Sequence, residues 1–122
     1  MTMHHTLIAL GSNYLPAPHI QWACERIATF LHDVTMSRRL WTKDTKGTGI
    51  WYQNCLITGY TDITADELQT LLKEIETETG RTKLCITLDL DLMLYDDKRY
   101  HLRDWERPYF TTLFAELPHI AE

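Results

Sequence analysis

Only three cysteines occur in 122 residues, Cys24, Cys55 and Cys85, an odd number with no Cys-x-x-Cys pair. That usage leaves little case for a disulfide framework or a zinc site, and it is expected of reduced, buried thiols in a cytoplasmic protein. Positive charge is also short. Twelve Lys and Arg against 17 Asp and Glu give a formal net charge of −5, which argues against broad contact with a nucleic-acid backbone. Long apolar runs are missing: nothing approaches the roughly 18 consecutive apolar residues of a membrane span. The opening Met1-Thr2-Met3-His4-His5 is not a secretory signal. The six histidines lack the short spacings of a transition-metal site, and no internal repeat or low-complexity linker is visible. What is there is an ordinary mix, 44% hydrophobic and 24% charged, expected of one domain over residues 1–122.

The elements follow from local pattern. Thr6 to Leu10 is a short apolar run ending at Gly11-Ser12-Asn13, the signature of a buried strand and a turn. Pro16 and Pro18 lead into a helix whose stripe is Ile20, Ala23, Cys24, Ile27, Phe30 and Leu31. Val34 to Thr42 is expected to be a strand near an edge, and Lys43 to Gly49 a polar, mobile loop. Trp51 to Tyr60, rich in aromatic and β-branched residues, makes a third strand. Thr64 and Glu67 form a capping box for a second helix, with Leu68, Leu71, Leu72 and Ile75 facing inward and Gly80 ending it. A last strand runs from Ile86 to Tyr95. Asp96-Asp97-Lys98 is a turn into a short return strand through Tyr100 and His101. Tyr109 to Leu117 is a short helix with Phe110, Leu113, Phe114 and Leu117 inward. This order, β-α-β-β-α-β with a short C-terminal extension, predicts an α+β fold. Its expected form is a ferredoxin-like antiparallel sheet, both helices on one face, and the first and third strands in the middle.

The last long strand carries the sharpest chemical signal. Ile86, Leu88, Leu90, Leu92 and Leu94 alternate with Thr87, Asp89, Asp91, Met93 and Tyr95, so strict period two places both aspartates on one face. At about 3.3 Å of rise per residue they lie roughly 7 Å apart. Neighbouring anions in mid-strand repel and do not serve stability. A hard divalent cation such as Mg²⁺ would remove that conflict. The plain alternative is a solvated strand face.

Several spaced features surround this pair. Leu10-Gly11-Ser12-Asn13 ends the first strand, Tyr52-Gln53-Asn54 lies in the third, and Glu76-x-x-x-Gly80-Arg81-x-Lys83 ends the second helix. Thr87-Leu88-Asp89-Leu90-Asp91 follows, then His101 and Arg107. In this order the set resembles the 6-hydroxymethyl-7,8-dihydropterin pyrophosphokinase family of folate synthesis, over nearly the whole chain. The resemblance implies transfer of pyrophosphate from ATP to the hydroxymethyl group of a reduced pterin, with AMP released. It implies that Asp89 and Asp91 are catalytic ligands of two Mg²⁺ ions and that Arg81 is catalytic. Glu76, Lys83, His101 and Arg107 match positions near ATP, while Thr42, Tyr52, Asn54 and Tyr109 match positions around the pterin. These residue types suit such substrates, with cations for a polyphosphate, and aromatic faces and fixed hydrogen bonds for a flat ring.

The chain also departs from the family's pattern. The segment before the aspartates is cut to Leu84-Cys85-Ile86, Ile86 stands where an arginine is usual, and Lys83 replaces another. A second reading therefore stands beside the first, a catalytically impaired homologue that binds a pterin or nucleotide. The expected partners are small molecules, with no nucleic acid and no membrane.

Overall fold

The computed structural model describes residues 2–44 and 46–117. A strand covered on both faces should read as a continuous apolar run, and the first strand, β1 (His4–Ser12), does so: Thr6, Leu7, Ile8 and Leu10 are all buried. It sits at the centre of a six-stranded, fully antiparallel sheet. The other strands are β2 (His32–Met36), β3 (Leu40–Lys43), β4 (Trp51–Thr61), β5 (Asp89–Tyr95) and β6 (Lys98–Arg99). Their order is β2-β4-β1-β5-β6, with β3 also on β4. Three helices complete an α+β architecture: α1 (Pro16–Ile27), α2 (Ala65–Glu78) and α3 (Pro108–Glu116).

Two cores flank the sheet. Ile20, Ala23, Cys24 and Ile27 of α1 and Leu68, Leu72 and Ile75 of α2 pack on Ile8, Leu10, Cys55, Ile57, Leu88, Leu90 and Leu92. The opposite face is closed by Phe110 and Leu113 of α3 against Leu7, Leu56 and Met93. The tail helix thus covers a second sheet face. Helix α2 begins as its sequence predicts: the Thr64 hydroxyl accepts the Glu67 N–H at 3.2 Å. It ends before Gly80, whose φ of 76° is the left-handed conformation that a helix stop needs. Leu71 is only half-buried, and Glu76 takes a place in the buried stripe instead.

Four local expectations are corrected. The edge strand expected over Val34–Thr42 is two strands, broken after Met36. The Ser37 N–H donates to the Leu56 carbonyl at 2.8 Å, and the Ser37 hydroxyl accepts the Leu56 N–H at 2.7 Å. A side chain thereby replaces a carbonyl in the ladder, and the strand bends. The Asp-bearing strand begins at Asp89, not Ile86. Before it, Ile86 exchanges hydrogen bonds with the backbone and side chain of Asn13, at 2.9 and 2.8 Å. Strict alternation also fails after Met93. Leu94 pairs with Leu7 but Leu92 pairs with Ile8, leaving Met93 as an extra residue. Met93 keeps the face of the aspartates, against the α3 core, and the bulge turns Leu94 to that same face, while Tyr95 faces the α1–α2 side and donates its hydroxyl to the Ile63 carbonyl at 2.7 Å. Finally, the return strand stops at Arg99, and His101 adopts a left-handed φ of 53°.

Gly59 fixes how closely the chain leaving α1 can approach β4. A Cβ there would lie 2.9 Å from the His32 carbonyl oxygen and 3.0 Å from Leu31 Cδ2. Gly59→Ala is expected to lower stability by about 1–3 kcal/mol through overpacking, read as a lower urea midpoint at unchanged slope.

Candidate functional site

The two aspartates and the end of α2 meet at one edge of the sheet. β6 covers β5 only at Leu94 and Tyr95, so the outer edge of β5 is open at Leu90. The Glu76 carboxylate fills that opening: its Oε2 accepts the Leu90 N–H at 2.6 Å, and the residue is 4% exposed. A carboxylate in the last turn of a helix gains nothing from the helix dipole, so its place there answers to the strand. Arg81, just past α2, closes the group. Its Nη1 lies 3.1 Å from Glu76 Oε1, 3.3 Å from Asp89 Oδ1 and 3.2 Å from the Leu88 carbonyl.

Asp91 is the more confined acid. His101 Nε2 stands 3.8 Å and Lys73 Nζ 4.0 Å from its Oδ1. Burial first, then the negative charge of Asp89, push its carboxyl up to about 6, against the opposing pull of His101 and Lys73. Three carboxylates, those of Glu76, Asp89 and Asp91, thus face two full cations, Arg81 and Lys73, with His101 charged only when protonated.

Cross-strand register joins this edge to the other candidates. Asp89 pairs with Gly11, Gly11 with Asn54, and Asn54 with Leu40; Tyr52 and Thr42 form the next pair of that face. Residues opposite one another share a face. Asp89 and Asn54 thus stand on the same face with only the bare Gly11 between them, about 10 Å apart across two strand spacings. A Cβ on Gly11 would lie 3.1 Å from Asn54 Oδ1. The Asn54 amide donates to the Thr42 hydroxyl at 2.5 Å, which orients its carbonyl oxygen. Tyr109, at the start of α3, belongs to the same neighbourhood. Burial pushes its phenol up to about 12, and the charges of Asp104, Asp89 and Asp91 add to the shift.

Asp89, Asp91, Arg81, Glu76 and His101 are thus gathered in one cluster, and Thr42, Tyr52 and Asn54 lie beside it on the sheet. Two cations are not gathered. Lys83 is exposed and without an ion pair among the described residues. Arg107 donates its Nε to Asp104 at 2.6 Å. Lys73 was missed by sequence reasoning. Its i,i+3 spacing to Glu76 was available, but nothing in the sequence said that Glu76 is buried at a strand edge.

Among the described residues no three His, Cys, Asp or Glu side chains form a metal cage. The donor chemistry instead suits a hard cation. Asp89 and Asp91 offer carboxylate oxygens on one strand face, and Mg²⁺ takes one or two carboxylates and completes its shell with water and phosphate. No helix among the described residues is long and apolar enough to cross a membrane.

A search of curated proteins returned no match. The sequence profile described as 7,8-dihydro-6-hydroxymethylpterin-pyrophosphokinase (HPPK) matches residues 7–121, nearly the whole chain. On that match the chain belongs to the HPPK family, whose members are pyrophosphokinases of folate synthesis acting on ATP and a pterin.

Proposed function

We propose that this chain transfers pyrophosphate from ATP to the hydroxymethyl group of 6-hydroxymethyl-7,8-dihydropterin, with Mg²⁺ as cofactor. The hydroxyl oxygen forms a bond to the β-phosphorus, the bond from that phosphorus to the bridging oxygen of the α-phosphate breaks, and AMP leaves with the electron pair. The hydroxyl proton passes to solvent. The observation that carries the reading is the shared sheet face. An acid pair and its flanking cations stand across bare Gly11 from the oriented Asn54–Thr42 pair, in a chain of the HPPK family.

Each candidate has a part in this reading. Asp89 and Asp91 hold the metal, for which we propose two ions. Bound metal supplies charge neutralisation on the polyphosphate and lowers the pKa of the attacking hydroxyl. Arg81 positions Asp89 through its guanidinium and stands ready for phosphate, while buried Glu76 holds Arg81 and the β5 edge in place. His101, Lys83 and Arg107 face the nucleotide, the last two after leaving their present positions. Tyr52 and Tyr109 offer aromatic faces to the pterin, with Asn54 and Thr42 on its polar edge. Orientation and charge neutralisation account for catalysis of this kind without a protein nucleophile.

The proposed unit is the whole of residues 1–122, a cytoplasmic enzyme acting on small molecules without nucleic-acid or membrane partners. Its core is read as ferredoxin-like, with β6 and α3 added. A second reading, a module that binds without turnover, is favoured by the outlying positions of Lys83 and Arg107. The test is direct. Purified protein with ATP, Mg²⁺ and the pterin should form AMP and pterin diphosphate in equal amounts, and omitting Mg²⁺ should stop it. Ligand binding with no AMP would favour the second reading, and absence of both binding and turnover would reject the pair.

A further inference from the structure

We propose that Lys73 is a displaceable counter-cation of the acid cluster. With no polyphosphate bound it balances Glu76 and Asp91, and it moves onto the polyphosphate when nucleotide and metal arrive together. The inference rests on the reading above, that the site takes a metal-bound nucleoside triphosphate.

The position of Lys73 shows a cation that is attracted but not held. Its Nζ lies 3.4 Å from both carboxylate oxygens of Glu76 and 4.0 Å from Asp91 Oδ1. These distances are long for charge-assisted hydrogen bonds, which close to about 2.7–2.9 Å. Its side chain is 62% exposed, whereas that of Glu76 is 6% and that of Arg81 33% exposed. The other cations differ. Arg81 is fixed by Glu76, Asp89 and the Leu88 carbonyl, and Arg107 by Asp104. An ammonium on a four-carbon stem can swing several ångströms without disturbing its helix.

Lys73 also has somewhere to go. It stands on an open, solvent-facing stretch of α2 beside Thr70, Glu74 and Thr77. Lys73 is the residue that joins this open face to the acid cluster. A triphosphate approaching Asp89 and Asp91 from this side would pass its ammonium. Metal alone, by contrast, must compete with Lys73 for Asp91. The consequence is coupling: polyphosphate removes the competitor, so each ligand tightens the other.

Calorimetric titration of the full chain tests this, using Mg²⁺ alone and a non-hydrolysable ATP analogue with Mg²⁺. In Lys73→Met, Mg²⁺ alone should bind about three- to tenfold more tightly and the analogue complex about tenfold more weakly. Lys73→Arg, which keeps the charge, should stay within about threefold of the wild type for the analogue. Lys73→Gln serves as a second neutral variant, and melting curves confirm that each is folded. A lysine with only a structural role would not move the two affinities in opposite directions. Unchanged analogue affinity in Lys73→Met, or Mg²⁺ affinity that is unchanged or weaker, overturns the proposal. A wild-type chain that does not bind the Mg²⁺–analogue complex overturns instead the reading on which it rests.

Discussion

Asp91→Asn is expected to lower turnover by about 10³-fold or more, roughly 4 kcal/mol of transition-state stabilisation, and in the same protein to raise metal-free stability. The two effects share one cause. Asp91 lies beside Asp89 and is largely buried, so its carboxyl is pushed up to about 6. Such a group binds its proton more tightly in the folded chain than in the unfolded one. The metal-free protein is therefore favoured at acid pH, and that advantage is lost as pH rises through about 6. At pH 8 the ionised carboxylate is a burden that asparagine does not carry. A gain of about 1–3 kcal/mol is expected there, shrinking toward zero near pH 4. Scanning calorimetry in EDTA at the two pH values reads it. Adding Mg²⁺ should then raise the melting temperature of the wild type and leave Asp91→Asn unmoved. A variant that keeps turnover within tenfold would remove the acid pair from the centre of the chemistry, and a variant less stable at pH 8 would refute the charge burden.

Glu76→Ala should be the most damaging single change to stability at this site, costing about 2–4 kcal/mol. The carboxylate is 4% exposed and receives the Leu90 N–H at 2.6 Å, at an edge where no strand is available to do so. Alanine would leave that N–H unsatisfied and Arg81 without its nearest anion, the Glu76 Oε1 at 3.1 Å. Glu76→Gln separates the two losses. Its amide oxygen can still accept the Leu90 N–H, so about half of the stability should return, while the charge that holds Arg81 is gone. Hydrogen exchange at the Leu90 amide distinguishes them: fast in the alanine variant, close to wild type in the glutamine one. Equal exchange in all three proteins would show that Glu76 does not seal the β5 edge. Turnover should fall in both variants, since Arg81 would no longer be fixed beside Asp89.

Much of this was legible locally. The Thr64 cap, the stop at Gly80, the stripe of α1 as far as Ile27 and the buried run of β1 each depend on neighbours a few residues away, and each is found as expected. Phe30 and Leu31, expected on the same stripe, lie beyond the end of the helix. The shared face of Asp89 and Asp91 was equally legible, because strand alternation holds as far as Met93. It fails at Leu94 because a bulge is set by the partner strand and not by the residues that form it. The break at Ser37 is of the same kind, since a serine hydroxyl can enter a ladder only where a facing N–H waits for it.

The sequence by itself determined the element order apart from the break at Ser37, the residue types at the candidate site, and the spacing of the acid pair. Each of these is a property of chain distance. Tertiary structure alone decided that α3 closes the second face of the sheet and that β5 has an open edge. It alone decided that Glu76 is buried there and that Lys73 consequently hangs over Asp91. These depend on which surfaces meet after the chain has folded, and a lysine on the exposed side of a helix carries no local mark of the carboxylates it will face.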